Sequence, residues 1–469
     1  MTTLTPARDT APGRTAPPAL TGRARLVLLV LCAAQFMVSL DFSVLNVALP
    51  ALGTDLGLGP SALPWAVTAF ALPSGGFLLL FGRVGDLHGR KRLFLAGLAV
   101  FGAASLLAAL AWNPASFLAG RALQGLGAAA IVPTGMSLLT TTFPEGPQRD
   151  RALGISGTLL SLGFTVGMVL GGVMTDTLGW RSTMGLLALF AALVLPFAPR
   201  LLTESRSPAP ERPRLDVPGA VTVTGGLLAL IYALSTAAER GFAGTDVRAA
   251  LTAGIVLLAA FAVVESRSAA PLVSLPMLRR RTVAFGNLGG LVTFSMMSTL
   301  VFALTLYLQE TLGLSGFATG LVFGVQGLLS VLAGTLAPRL IGRFGARRAL
   351  AAGLAGQGLC GTALLGVGPS SGALLATVAV SIASMFHLVA IVSYGVTVTS
   401  GVPDADQGLA TGLVTTTQQV GLTVGIPLLG TLATTGGDLY EGVRTVVVLD
   451  AAIVLGAAVL VALGLRKRT

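Results

Sequence analysis

The chain has 469 residues, of which 54% are hydrophobic and only 10% charged, with a formal net charge of +11. A soluble domain carries about a quarter charged residues, so this composition excludes a soluble enzyme or soluble binding module and specifies an integral membrane protein. Cys32 and Cys360 both lie in apolar runs, which leaves no disulfide or metal framework to build on.

Residues 1–24, with their Thr, Pro, Ala and Arg, are predicted to form a disordered cytosolic tail. Apolar segments of about 20 residues follow, each long enough to cross a hydrocarbon core of about 30 Å as a helix. Runs such as LVLLVLCAAQFMV do not alternate, which excludes a β-barrel. The predicted class is therefore an all-α membrane protein of about fourteen transmembrane helices.

The first segment, 26–49, carries Asp41 within FMVSLDFSVLNVALP, and a charge at such depth is costly enough to mark function. On a helix Gln35, Ser39, Ser43 and Asn46 fall within about 80° of one another, with Asp41 about 160° from them. The stripe is predicted to line a substrate pathway, and Asp41 to meet a neighbouring helix near Arg121. The second segment, 62–82, leads into GRVGDLHGRKR. Gly82 and Gly89 make a short hinge there, and Asp86 can pair with Arg90, Lys91, Arg92 or a facing helix N-terminus, holding one conformation closed.

The third and fourth segments span 93–112 and 115–139. Arg121 in the fourth cannot be neutralised and must find an acceptor. Gln124 and Gly125 share its face, and the glycine admits a close neighbour. The fifth segment, 152–175, spaces Gly163, Gly167, Gly171 and Gly172 as a close-packing face, and the sixth spans 182–202.

After a polar linker at 204–216 come segments 218–237 and 249–265, a second linker at 266–281, and then 284–307, 317–338, 348–367, 372–396, 409–433 and 444–464. The loop APRLIGRFGARR after the tenth segment repeats GRVGDLHGRKR, with Arg83 over Arg339, Gly89 over Gly345 and Lys91–Arg92 over Arg347–Arg348. Parallel six-helix repeats build secondary transporters with the substrate site between the halves. The repeat falls two helices late, so the chain divides into a bundle at 25–203, an inserted pair at 217–265 and a second bundle at 282–469.

With the N-terminus placed in the cytosol, Arg and Lys collect on the inner side, leaving Arg181, Arg240, Arg248 and Arg444 outside. That asymmetry predicts a multi-pass protein of the cell membrane with both termini cytoplasmic, and it accounts for the basicity without nucleic acid. Scarce Lys beside abundant Arg and Ala fits a GC-rich bacterial genome.

The loop GRVGDLHGRKR resembles the signature of the major facilitator superfamily. LDFSVLNVALP resembles the first-helix motif of its 14-helix drug:proton antiporters, with Asp41, Asn46 and Pro50 on key positions, and RALQGLGAAAIVP resembles the fourth-helix motif through Arg121, Gln124, Gly125 and Gly127. YLQETLGLS and GLATGLVTTTQQVGLTVG are similar to that subfamily's ninth and thirteenth helices. Three positions depart from the pattern. Met168 stands where the fifth-helix motif has Pro, Leu87 where a basic residue is common, and Gly342 opposite Asp86.

The resemblance implies efflux of hydrophobic or amphiphilic drugs or antibiotics by alternating access, driven by protons and coupled through Asp41 and Arg121. Protons are the coupling ion, with no other cofactor, and a monomer is expected. A proton symporter importing a small organic solute is the alternative that Met168 keeps open. An enzyme is not expected, since no paired acidic cluster, metal spacing or nucleophile with a base stands out. Thr411, Thr415 and Gln418 share a helix face and suit a cavity wall or a helix seam. Asp450 and Glu310 are expected near membrane edges and solvated, and His387 is expected to be packed or hydrogen-bonded.

Overall fold

The computed structural model describes residues 21–59, 62–143, 147–205, 216–268, 275–402, 407–434 and 438–466. The first half runs through α1 (Gly22–Leu56), α2 (Trp65–Gly76), α3 (Leu78–His88), α4 (Arg90–Ala109), α5 (Pro114–Thr142), α6 (Pro147–Leu178), α7 (Trp180–Val194) and the short α8 (Ala198–Leu201). Next come α9 (Val217–Arg240), α10 (Thr245–Arg267) and the short α11 (Leu275–Leu278). The second half has α12 (Arg281–Leu306), α13 (Gly316–Phe344), α14 (Ala346–Thr362), α15 (Ala373–Thr399), α16 (Gln407–Leu429) and α17 (Leu439–Gly464). Twelve described helices are long and apolar enough to cross a membrane, or thirteen if the α2–α3 pair is one span. Helix α16 lies where the thirteenth sequence segment is expected.

Local sequence sets the helix ends. Asn113 accepts from the Ser116 N–H in a capping box that starts α5, with Pro114 at its first position, where a missing N–H costs nothing. Ser315 caps α13 through the Ala318 N–H. Gly89 (φ 118°) and Gly345 (φ 84°) separate α3 from α4 and α13 from α14. The repeated loops thus use one device, a left-handed glycine that other residues adopt at a cost. The second sequence segment is not one straight helix: it bends by 45° between α2 and α3, beyond Pro73, which withholds a backbone donor.

Helices pack along their neighbours as α4 on α5, α1 on α6, α12 on α15, α16 and α17, and α14 on α15 and α17. The pair α9–α10 packs on itself and, through α9, on α2 and α16. Many exposed side chains of α10 are aliphatic, Ile255, Val256 and Val263 among them, as a lipid-facing helix requires. The halves meet most closely where α6 runs along α13. A Cβ added to Gly320 would lie 2.6 Å from the Met168 carbonyl oxygen, so that contact is backbone on backbone.

Candidate functional site: a buried ion pair and its surroundings

Helix α5 enters from its capped end, and two turns in, Arg121 points into the first half with none of its side chain exposed. Its Nη1 donates to Asp41 Oδ1 at 2.7 Å, to Asp41 Oδ2 at 2.9 Å and to Gln124 Oε1 at 2.8 Å, and its Nε donates to the Ala66 carbonyl at 3.1 Å. Asp41, on α1, is likewise fully buried. Gln124 Nε2 donates to Ser105 Oγ on α4 at 2.8 Å, and the Phe70 ring on α2 lies 4.6 Å from the Arg121 guanidinium carbon. Four helices therefore converge on one charge pair.

Glycines make the convergence possible. A Cβ on Gly125 would lie 2.7 Å from Pro73 Cγ, and one on Gly97 would lie 3.0 Å from the Gly127 carbonyl oxygen. Close approach of α4 to α5 sets Ser105 against Gln124, and close approach of α2 brings Phe70 and the Ala66 carbonyl to Arg121. The residue spacing locates Asp41, Arg121 and Gln124. It does not locate Ser105, Phe70 or the Ala66 carbonyl, because a serine and a phenylalanine in apolar helices carry no distinctive signal.

The polar stripe of α1 is largely buried against α6. Gln35, Ser43 and Asn46 are buried. Gln35 Oε1 accepts from Ser156 Oγ at 3.3 Å, Ser39 Oγ donates to the Leu160 carbonyl at 2.7 Å, and Asn46 Nδ2 donates back to the Phe42 carbonyl at 2.7 Å. Gln35 and Ser39 hydrogen-bond to α6 in this structure. The physical reason is the glycine face of α6. A Cβ on Gly163 or Gly171 would meet Phe36 or Val44 of α1 at 2.9 Å, and Gly167 meets Ser43 and Leu40. Gly172 points away from these three, onto Gly316 and Phe317 of α13. Gln418 is half-buried on α16 and does not join the Asp41 cluster.

In the loop between α3 and α4, Arg90 Nε donates to Asp86 Oδ1 at 2.8 Å. Glu204, at the end of the first half, accepts from the Lys91 N–H at 3.1 Å and stands 3.8 Å from Arg92 Nε, and a Cβ on Gly89 would strike its carboxylate at 2.8 Å. Lys91 Nζ donates to the Pro199 carbonyl at 2.7 Å. Among the described residues, the polar contacts of this loop stay within the first half. Glu204 has no signal in the sequence, because it sits in a charged linker whose composition reads as solvated.

The opposite end, where α1 finishes, is bridged between halves. Asp176 on α6 accepts from the Gly316 N–H at 3.1 Å and the Phe317 N–H at 2.7 Å, capping α13 from outside its own half. Gln309 Nε2 donates to the Val47 carbonyl at 2.9 Å. Trp180 Nε1 donates to Asp55 at 3.0 Å and Arg181 pairs with the same carboxylate, which fixes α7 to α1 at this end. In the second half, His387 Nδ1 is 2.8 Å from Thr293 Oγ1, which donates to Gln357 Oε1 at 2.5 Å. His387 is thus packed and hydrogen-bonded, as expected. Glu310 is exposed, but Asp450 is 2% exposed and lies inside α17, contrary to the edge position expected.

The comparisons place this architecture. The family model described as Major Facilitator Superfamily matches residues 31–425, with a second match over 287–469. The chain is 40% identical to the cephamycin export protein CmcT of Amycolatopsis lactamdurans over 89% of this chain and 86% of that one. It is 36% identical to the puromycin resistance protein pur8 of Streptomyces alboniger over 88% and 82% of the two chains. The crystal structure of the POT family transporter PepTSo superposes with a TM-score of 0.73 over 95% of this chain and 98% of that one, at 16% identity, a likeness of fold. Motifs, helical architecture and relatives agree, and the chain belongs to the Major Facilitator Superfamily, whose members matched here are transporters.

Proposed function

We propose that the protein exports hydrophobic or amphiphilic antibiotics across the cell membrane of a bacterium by proton antiport. The observation that carries this reading is the Asp41–Arg121 pair, completely buried in the first half. A buried pair is costly to form and costly to break from one side only. Retaining one in a membrane bundle fits a site whose charge is used. A proton delivered to Asp41 removes the charge that holds Arg121, leaving Gln124 and the Ala66 carbonyl as acceptors. A proton can bias the two access states only if they hold it with different affinity. The close α6–α13 contact and the Asp176 cap support reading this structure as the state closed at the far end, which the arginine distribution assigns to the outside.

Relatives named for cephamycin export and puromycin resistance support the outward direction over the symport alternative, and they support antibiotics as the substrate class. The test is resistance and accumulation in a pump-deficient host. Cells expressing the protein should tolerate more of an amphiphilic antibiotic, and accumulate less of it, than cells expressing an Arg121→Gln variant, and a protonophore should abolish the difference. Equal accumulation in the two strains, with both proteins present in the membrane, would sink the reading.

A further inference from the structure

We propose that Asp450 on α17 is a second proton-binding site, in the half opposite Asp41. It deepens the proton-driven reading and rests on it for its use in transport, while the existence of the site stands on geometry. Asp450 is 2% exposed, and its Oδ1 is fully enclosed with no hydrogen-bond partner among the described residues. The contrast with other buried carboxylates is direct: Asp41 holds Arg121, and Asp216 caps α9 through the Gly219 N–H.

The position is interior along the helix as well as across it. Towards one end of α17 Gly442 packs on Ala433, and at the other Gly464 packs on Phe285. Between them α14 crosses α17 beside Asp450, with a Cβ on Gly358 placed 3.4 Å from the Ala451 carbonyl oxygen. Gln357, the residue before that crossing, begins the hydrogen-bonded chain through Thr293 to His387.

Among the described residues, the elements packed against α17 bring no counter-charge to this depth. Helix α17 is packed against α12, α14, α16 and the turns at 307–311, 363–366 and 430–434. Their titratable side chains are Arg281 at the start of α12, Tyr307 and Glu310 in the first turn, Arg347 and Arg348 at the start of α14, and Cys360. Tyr307 bonds to the Gly368 and Ser371 carbonyls. On α17 itself Tyr440 bonds to the Val367 carbonyl, and Glu441 pairs with Arg444. A carboxylate enclosed without a cation or donor is the costliest form of the group, and taking up a proton removes that charge. The ligand this site accepts is therefore a proton.

The test is labelling of the intact protein in liposomes with dicyclohexylcarbodiimide, which modifies protonated carboxyls in apolar surroundings, followed by peptide mass spectrometry. We expect an adduct on Asp450 at mildly acidic pH that declines as pH rises, by about tenfold per unit once the site releases its proton. Asp450→Glu should keep the adduct and Asp450→Asn should lose it, and the wild-type result stands if either variant fails to fold. Absence of an adduct at every pH would overturn the proposal. An adduct unchanged into alkaline pH would also overturn it, because a carboxyl that never releases its proton exchanges none. Both readouts are independent of transport, so a failure of the export reading leaves them interpretable.

Discussion

Removing one member of the buried pair should cost far more than its hydrogen bonds alone. In Asp41→Asn, Arg121 keeps Gln124 at 2.8 Å and the Ala66 carbonyl at 3.1 Å, and its charge loses the carboxylate that lies at 2.7 and 2.9 Å. Breaking a buried ion pair from one side costs about 3–5 kcal/mol, whereas polar contacts between membrane helices average about 0.6 kcal/mol. Arg121→Gln leaves the opposite charge stranded and should cost a similar amount. The double variant leaves neither, so the two losses should overlap by about 2–3 kcal/mol, the upper part of the range for residues in contact. Unfolding of the four proteins in mixed micelles by increasing mole fraction of denaturing detergent gives the cycle. Additivity within about 0.5 kcal/mol would refute the reasoning and reduce the pair to an ordinary polar seam.

Gly125→Ala should destabilise the first half by about 1–3 kcal/mol, since the new methyl meets Pro73 Cγ and the Phe70 backbone. Gly157→Ala, with nothing within 4 Å, should leave the unfolding midpoint unchanged or slightly raised. Glu204→Ala removes the acceptor of the Lys91 N–H and the neighbour of Arg92. Hydrogen exchange at the loop amide of Lys91 should then quicken about tenfold or more, and an unchanged rate would show that Glu204 does not clamp the loop. Asp176→Ala frees the N–H groups of Gly316 and Phe317 and should shift the population towards far-end opening by about two- to fivefold. Spin-label distances between Thr177 and Thr311 report that shift, and an unaltered distribution would remove Asp176 from the gate.

The helical class and the ion pair were legible in the sequence because each rests on a strong constraint. Long apolar runs have few alternatives to a membrane helix, and a buried arginine must find an acceptor. The angular separation of Asp41 from the Gln35–Asn46 stripe also holds: Asp41 meets Arg121, while Gln35 and Ser39 meet α6. What the stripe faces was not legible, because a polar face suits a water-filled path and a glycine-lined seam equally, and the choice lies with the partner helix. The burial of Asp450 is not legible for a related reason, since distance along the chain from a helix end says nothing about which neighbour covers the side chain. Asp176 and Glu204 act through backbone N–H groups of distant segments, contacts that leave no residue pattern to read.

The central claim is that a proton gradient drives export through the Asp41–Arg121 site. Its most direct test is transport of a hydrophobic fluorescent substrate in proteoliposomes under an imposed pH gradient, comparing the unmodified protein with Asp41→Asn reconstituted to equal density. The account predicts gradient-dependent transport that is lost in the variant while substrate binding persists. Transport that ignores the gradient, or gradient-driven transport that survives in Asp41→Asn, would contradict it.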